Sequence, residues 1–66
     1  MCRSIKPLRY PDRLPSDEEV QDAALQFVRK VSAYRKPSKA NEAAFNRAVA
    51  DVAEATRRLL ADLRAG

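Results

Sequence analysis

The sequence predicts an all-α protein, an antiparallel two-helix hairpin with an extended, proline-containing N-terminal arm packed on a long second helix. Apolar residues recur at three- and four-residue steps in two segments, which is the periodicity of amphipathic helices. Pro37 separates these segments, and the other three prolines all fall in the first 15 residues. The 66 residues allow one domain. We divide it into an arm at 1–15, helix 1 at 16–34, a turn at 35–38 and helix 2 at 39–64.

The arm is shaped by Pro7, Pro11 and Pro15. Each proline lacks a backbone N–H and pushes the preceding residue toward extended geometry. The apolar residues of the arm are nevertheless too regularly placed for a disordered tail, and they need a surface to lie on. These residues are Ile5, Leu8, Tyr10 and Leu14. We expect them to pack along helix 2.

Helix 1 has a well-defined start. Ser16 is placed to cap the first turn, Glu19 completes a capping box, and Asp17 suits the positive end of the helix dipole. The predicted inward face comprises Val20, Ala24, Phe27, Val28, Val31 and Tyr34. Leu25 lies outside this arc, either as an ordinary exposed leucine or as a contact of a second surface.

Helix 2 follows a short connection, and Ser38 is a candidate N-cap for it. A connection this short makes the two helices antiparallel neighbours. We therefore expect the acidic start of helix 1, residues 17–19, to lie near Arg57 and Arg58. Asn41 and Thr56 interrupt the apolar face of helix 2, either to set register between helices or to make local hydrogen bonds.

The apolar stripe of helix 2 is longer than its partner. Its members are Phe45, Ala48, Val49, Val52, Thr56, Leu59, Leu60 and Leu63. Helix 2 would be roughly 40 Å long and helix 1 roughly 27 Å, so part of the stripe has no helical neighbour. Once the arm is placed, the remainder lies near Leu59, Leu60 and Leu63, our candidate association surface. Either the arm alone covers these leucines or a second copy of the chain contributes.

The composition of the chain favours a contribution from a second copy. Of the 30 residues counted as hydrophobic, 12 are alanine, so the core is thin. Small folds compensate for a thin core with disulfides, a metal or association. One cysteine cannot form an internal disulfide, and the chain has no histidine. We therefore expect a homodimer resembling a four-helix bundle.

The net charge of +4 is unevenly distributed, with a basic cluster at the turn. Its members are Arg29, Lys30, Arg35, Lys36 and Lys39. Such a cluster suits phosphates or nucleic acid, with Tyr34 available for stacking. Cations are also favoured at a helix C-terminus by its dipole, and no helix-turn-helix spacing supports DNA recognition.

The sequence predicts no catalytic set, no metal site and no cofactor, because it lacks histidine and any spaced group of acidic ligands. Cys2 is the candidate reactive thiol: removal of Met1 would place it beside a free α-amine. The alternative is a small apolar residue under the arm. A single cysteine, with neither a signal peptide nor a membrane-spanning segment, indicates a cytoplasmic protein.

Three stretches, MCRSIKPL, AALQFVRKVSAYRKPSKANEAAF and RAVADVAEATRRLL, resemble the family of small bacterial proteins known as domain of unknown function 2277. The resemblance covers nearly the whole chain, although the chain differs from the family pattern at Ser4 and through residues 9–15. It implies an all-helical protein without an assigned activity or catalytic residue. The matching Cys2, Arg3, Ile5 and Lys6 make the arm the first place to look for function.

These observations favour a small, non-enzymatic, cytoplasmic interaction module that self-associates as a homodimer. An unknown protein partner is a further possibility, and membrane binding is not expected, because the polar face of helix 2 carries no net charge. Nucleic-acid or phosphate binding at the turn is the alternative, and thiol chemistry at Cys2 is the weaker one.

Overall fold

The computed structural model describes residues 6–63, and both predicted helices are confirmed within them. Helix α1 spans Asp17–Ser32, a single 3₁₀ turn spans Lys39–Asn41, and helix α2 spans Glu42–Asp62. The two α-helices pack against each other as a hairpin. α1 ends two residues before the predicted boundary at 34, and α2 ends at Asp62, before the predicted boundary at 64. No helix in this range is long and apolar enough to cross a membrane.

The start of α1 carries the predicted capping box. The backbone N–H of Glu19 donates to Ser16 Oγ at 3.1 Å, and the backbone N–H of Ser16 donates to Glu19 Oε1 at 2.8 Å. These bonds satisfy two of the N–H groups that a helix start leaves without partners. At the other end, Ala33 closes α1 in the left-handed conformation, with φ at 63°.

The start of the second helical segment differs from the prediction. Ser38 does precede it, but its side chain makes no capping hydrogen bond, and only its carbonyl accepts from the Asn41 N–H, at 3.0 Å. The segment therefore opens as a 3₁₀ turn stabilised by backbone bonding before it continues into α2. The last turn of α2 closes with the Leu63 N–H donating to the carbonyl of Leu59 at 3.0 Å.

The core lies where the arm meets both helices. It is a cluster of buried residues, namely Leu8, Val20, Ala24 and Ala53, flanked by the half-buried Ala23, Val49, Val52 and Leu60. Val28 and Phe45 are also buried. Two of these six buried residues are alanines, which allow the helices to approach closely but contribute little apolar area. The described core is therefore as thin as the composition indicated.

The predicted inward face of α1 is only half correct. Val20, Ala24 and Val28 are buried, whereas Phe27, Val31 and Tyr34 are exposed. The three buried residues are spaced by four and form a single line facing α2. Phe27 lies about 100° around the helix from Val28, on a side that α2 does not cover. Val31 lies in the last turn of α1 and Tyr34 just after it, and both side chains remain exposed.

Leu8 is the buried apolar residue of the described part of the arm, and it is 7% exposed. Leu8 joins the cluster formed by both helices, so it does not lie on α2 alone. Leu14 was expected to cover α2, but it is 67% exposed. Tyr10, also expected on α2, is half-buried, and its hydroxyl donates to Glu19 of α1. Ile5 lies outside the described residues.

A candidate interaction surface on the hairpin

An open apolar groove of about 400 Å³ runs between α1 and α2 at the turn end of the hairpin. We use "the groove" for the surface formed by Phe27, Val31 and Tyr34 from the α1 side and Phe45, Ala48 and Val52 from α2. Val31 is 67% exposed and Phe27 is 44% exposed. The groove is therefore an apolar surface facing solvent.

Hydrogen bonds within the chain occupy the polar groups around the groove. Asn41 Nδ2 donates to the Tyr34 hydroxyl at 3.1 Å, which ties the residue before α2 to the connection that follows α1. Ser32 Oγ donates to the carbonyl of Val28 at 2.7 Å and accepts from the Tyr34 N–H at 3.2 Å. Asn41 thus links the two segments, in place of capping α2. The groove offers apolar contact more than polar recognition.

The groove continues toward the open end of the hairpin as a second cavity of about 220 Å³. Phe27 and Val52 line both cavities, so the two form one face of the molecule. The Thr56 hydroxyl on this face donates to the carbonyl of Val52 at 2.7 Å. Thr56 therefore has the local hydrogen bond that was one of its two predicted roles. Lys6 and Leu8 of the arm border the second cavity.

The three leucines of the predicted association surface have different environments. Leu60 is half-buried and packs against the core, whereas Leu59 is 56% exposed and Leu63 is 44% exposed. Leu14 lines a shallow cavity with Leu60 and Leu63 but leaves Leu63 open to solvent. The described part of the arm therefore covers one of the three.

The turn end of the hairpin is basic. Arg29, Lys30, Arg35, Lys36 and Lys39 all lie on the last turns of α1, the connection or the 3₁₀ turn. Arg29 Nε donates to the carbonyl of Arg35 at 3.1 Å, so one of these cations also holds the turn. Among the ion pairs of residues 6–63, none involves any of the five.

The open end of the hairpin, residues 6–22 and 54–63, carries seven carboxylates and five cations. Arg57 Nε lies 3.3 Å from Asp17 Oδ1, which confirms the predicted approach of Arg57 to the start of α1. The same prediction for Arg58 is wrong, because Arg58 pairs along its own helix with Glu54 at 2.8 Å. This four-residue spacing puts the two side chains on adjacent turns, where a local pair forms more easily than a long-range one.

Glu19 joins the arm to α1 through contacts that the sequence did not reveal. Besides the Ser16 N–H, it accepts from the Tyr10 hydroxyl at 2.7 Å and from Arg13 Nη1 at 3.0 Å, and Lys6 Nζ lies 3.4 Å away. The Arg13 guanidinium also lies 4.0 Å from the centre of the Tyr10 ring. The Arg13 hydrogen bond, followed by those from Ser16 and Tyr10, holds the pKa of Glu19 well below its usual range. Only the capping box was visible from the sequence spacing.

Neither a metal site nor a nucleophile is assigned by this geometry. Within residues 6–63, no three carboxylates cluster closely enough to hold a metal ion. Cys2, the candidate reactive thiol, lies outside that range. The described chain therefore presents an apolar face between a basic turn end and an open end of mixed charge, an arrangement suited to binding another macromolecule.

Comparisons with known proteins agree with the resemblance seen in the sequence. A family model described as an uncharacterized conserved protein (DUF2277) matches residues 1–66. A search of curated proteins and a search of solved structures found no match.

Proposed function

We propose that this chain, which belongs to the uncharacterised conserved family DUF2277, is a small, non-enzymatic, cytoplasmic interaction module that self-associates. The observation that carries the proposal is the continuous apolar face formed by the groove and the second cavity, which includes the exposed Leu59. Large apolar side chains exposed together on one face are typical of interaction sites, whereas singly exposed ones are not.

The size of this face supports association. α2 is about 30 Å long, and two packed helices are roughly 20 Å wide, so the whole side of the hairpin that carries the apolar face projects to about 600 Å². A standard protein interface buries about 800 Å² on each partner, and surface relief brings the projected area close to that value. A dimer interface of standard size would therefore use this whole side of the hairpin, with the apolar face as part of it.

The thin core provides the energetic reason. The buried hydrophobic residues of the described chain are six, and two of them are alanines. Burying Phe27, Val31 and Leu59 against another chain would add about 1 kcal/mol for each, since each is about half exposed in the monomer. Association would thus stabilise the folded state as well as provide the interaction.

Sedimentation velocity of the wild type and of Val31→Lys tests the proposal. Val31 is mostly exposed, and a lysine in the last turn of α1 suits the helix dipole, so the monomer should keep its fold. We expect the wild type to be dimeric and Val31→Lys to raise the dimer dissociation constant at least tenfold. Ala50→Lys, an exposed position outside the groove, is the matched control and should stay dimeric. Self-association would be refuted if the wild type sediments as a folded monomer and Val31→Lys sediments identically at the same concentrations.

A second candidate function is phosphate or nucleic-acid binding at the turn. It is supported by the five cations at one end of the hairpin, none of them in an ion pair within the described residues. Binding to mixed-sequence RNA should fall steeply with salt and be lost in the double variant Lys36→Glu with Lys39→Glu. Binding that persists in this variant would exclude the turn as the site.

A further inference from the structure

We infer that the occupant of the groove is a second copy of the chain, docked antiparallel about a two-fold axis that crosses α2 beside Val52. The inference rests on the proposed self-association and specifies its geometry. Val52 is the natural crossing point because it lines both cavities of the apolar face. Two-fold symmetry requires that the face be complementary to itself after rotation.

The spacing along α2 meets this requirement. Phe45 lies seven residues before Val52 and Leu59 lies seven residues after it, so each is about 10 Å from the axis on the same side of the helix. Rotation about the axis therefore places Leu59 of one copy opposite Phe45 of the other. The same operation brings Leu63 to the turn end of the other copy, where Asn41 begins the groove.

The relief of the face also fits the antiparallel arrangement. Toward the open end the cavity is the smaller one, about 220 Å³, with the exposed Leu59 beside it, whereas at the turn end the groove has about 400 Å³. Antiparallel docking inserts Leu59 of each copy into the groove of the other. A parallel arrangement would instead place Leu59 against Leu59 and leave two grooves facing each other.

Charge selects the same orientation. The turn end, residues 29–42, has five cations and one carboxylate, Glu42, for a net charge of +4. The open end, residues 6–22 and 54–63, has seven carboxylates and five cations, for a net charge of −2. Parallel docking would oppose the two basic ends. Antiparallel docking separates them by about 40 Å, several Debye lengths at physiological salt, and brings each toward an acidic end. Like charges in contact would cost affinity, so the parallel dimer is disfavoured.

Distances between spin labels test the arrangement. Ser38 is exposed, and its side chain makes no capping bond, so Ser38→Cys in a Cys2→Ser background should leave the fold intact. Ser38 lies 14 residues before Val52, which predicts about 40 Å between the two labels of an antiparallel dimer. The parallel dimer predicts less than about 20 Å, because packed helices are 8–10 Å apart.

A mixed dimer with distinguishable labels at Ser38→Cys and Ala61→Cys tests the same orientation with the long and short distances exchanged. The antiparallel dimer places these labels within about 20 Å, and the parallel dimer places them about 35 Å apart. Sedimentation velocity of the labelled proteins shows whether they are dimers, so self-association is tested separately from the orientation of the dimer. A dimer with a short Ser38 distance overturns the orientation and leaves self-association intact, whereas a monomer overturns both.

Discussion

The arm is predicted to be a structural part of the hairpin, and its two leucines provide an internal comparison. Leu8 is 7% exposed and belongs to the core cluster with Val20 and Ala24, whereas Leu14 is 67% exposed. Both lie in the same proline-containing segment, outside regular secondary structure. Replacing either by alanine removes the same atoms without changing helix propensity. Any difference in stability therefore reports the docking of Leu8.

The expected magnitude follows from burial. Leu→Ala removes three carbon groups, worth about 0.8 kcal/mol each when fully buried, so Leu8→Ala should lower the free energy of unfolding by about 2 kcal/mol. We expect little additional cavity cost, since a surface arm can settle into the space. Leu14→Ala should cost less than about 1 kcal/mol, because two-thirds of the side chain already faces water. Domains of this length have roughly 3–10 kcal/mol of stability, so the difference is measurable.

Urea unfolding followed by far-UV circular dichroism measures both effects at one protein concentration, since dimerisation would make stability depend on concentration. A decrease of about 2 kcal/mol lowers the midpoint by about 2 M at a slope near 1 kcal/mol/M. Leu8→Val, with a loss of about 1 kcal/mol, keeps the comparison possible if Leu8→Ala is unfolded. Equal midpoints for Leu8→Ala and Leu14→Ala would refute the docking of the arm through Leu8.

Three further predictions concern the helices and the capping carboxylate. Ala33→Gly should raise the free energy of unfolding by about 1 kcal/mol by relieving the left-handed conformation, whereas Ala50→Gly, within α2, should lower it by about 1 kcal/mol. In the same urea titrations, Ala53→Leu should lower the free energy of unfolding by about 1–3 kcal/mol, because the larger side chain overpacks a fully buried position. Ala50→Leu, at an exposed position, should change it little. The depressed pKa of Glu19 stabilises the fold above about pH 4.3, the value in the unfolded chain, and this contribution is lost as pH falls toward the folded-state pKa. The free energy of unfolding should therefore fall less steeply between pH 5 and 2 for Glu19→Gln than for the wild type. Equal dependence on pH in the two proteins would contradict this role.

The interaction surface could be predicted only in part from the sequence. The exposed Leu59 and Leu63 were visible as the end of a stripe longer than its neighbouring helix. The groove was not predicted, because the sequence pattern places Phe27, Val31 and Tyr34 on the inward face of helix 1. An apolar arc more than 100° wide on a helix with one partner was the available signal, since a single antiparallel helix covers only part of such an arc.

The Glu19 contacts show a similar division. The Ser16–Glu19 bonds join residues three apart and follow from helix geometry. The Tyr10 and Arg13 contacts depend on the path of the arm around two prolines, Pro11 and Pro15, which no local rule specifies. Spacing identified the carboxylate but not its partners in the arm.

Interactions between residues close in the chain were sufficient to identify the helices of this protein, their approximate ends, the capping box and the basic turn. Periodicity, capping and proline restrictions act over a few residues, so they can be read directly from neighbouring positions. Which apolar side chains became core and which became surface depended on the packing of α1, α2 and Leu8 around Ala24 and Ala53. That partition is non-local, because burial depends on what another segment covers. With few large apolar residues, the described part of the chain leaves one side of its hairpin exposed.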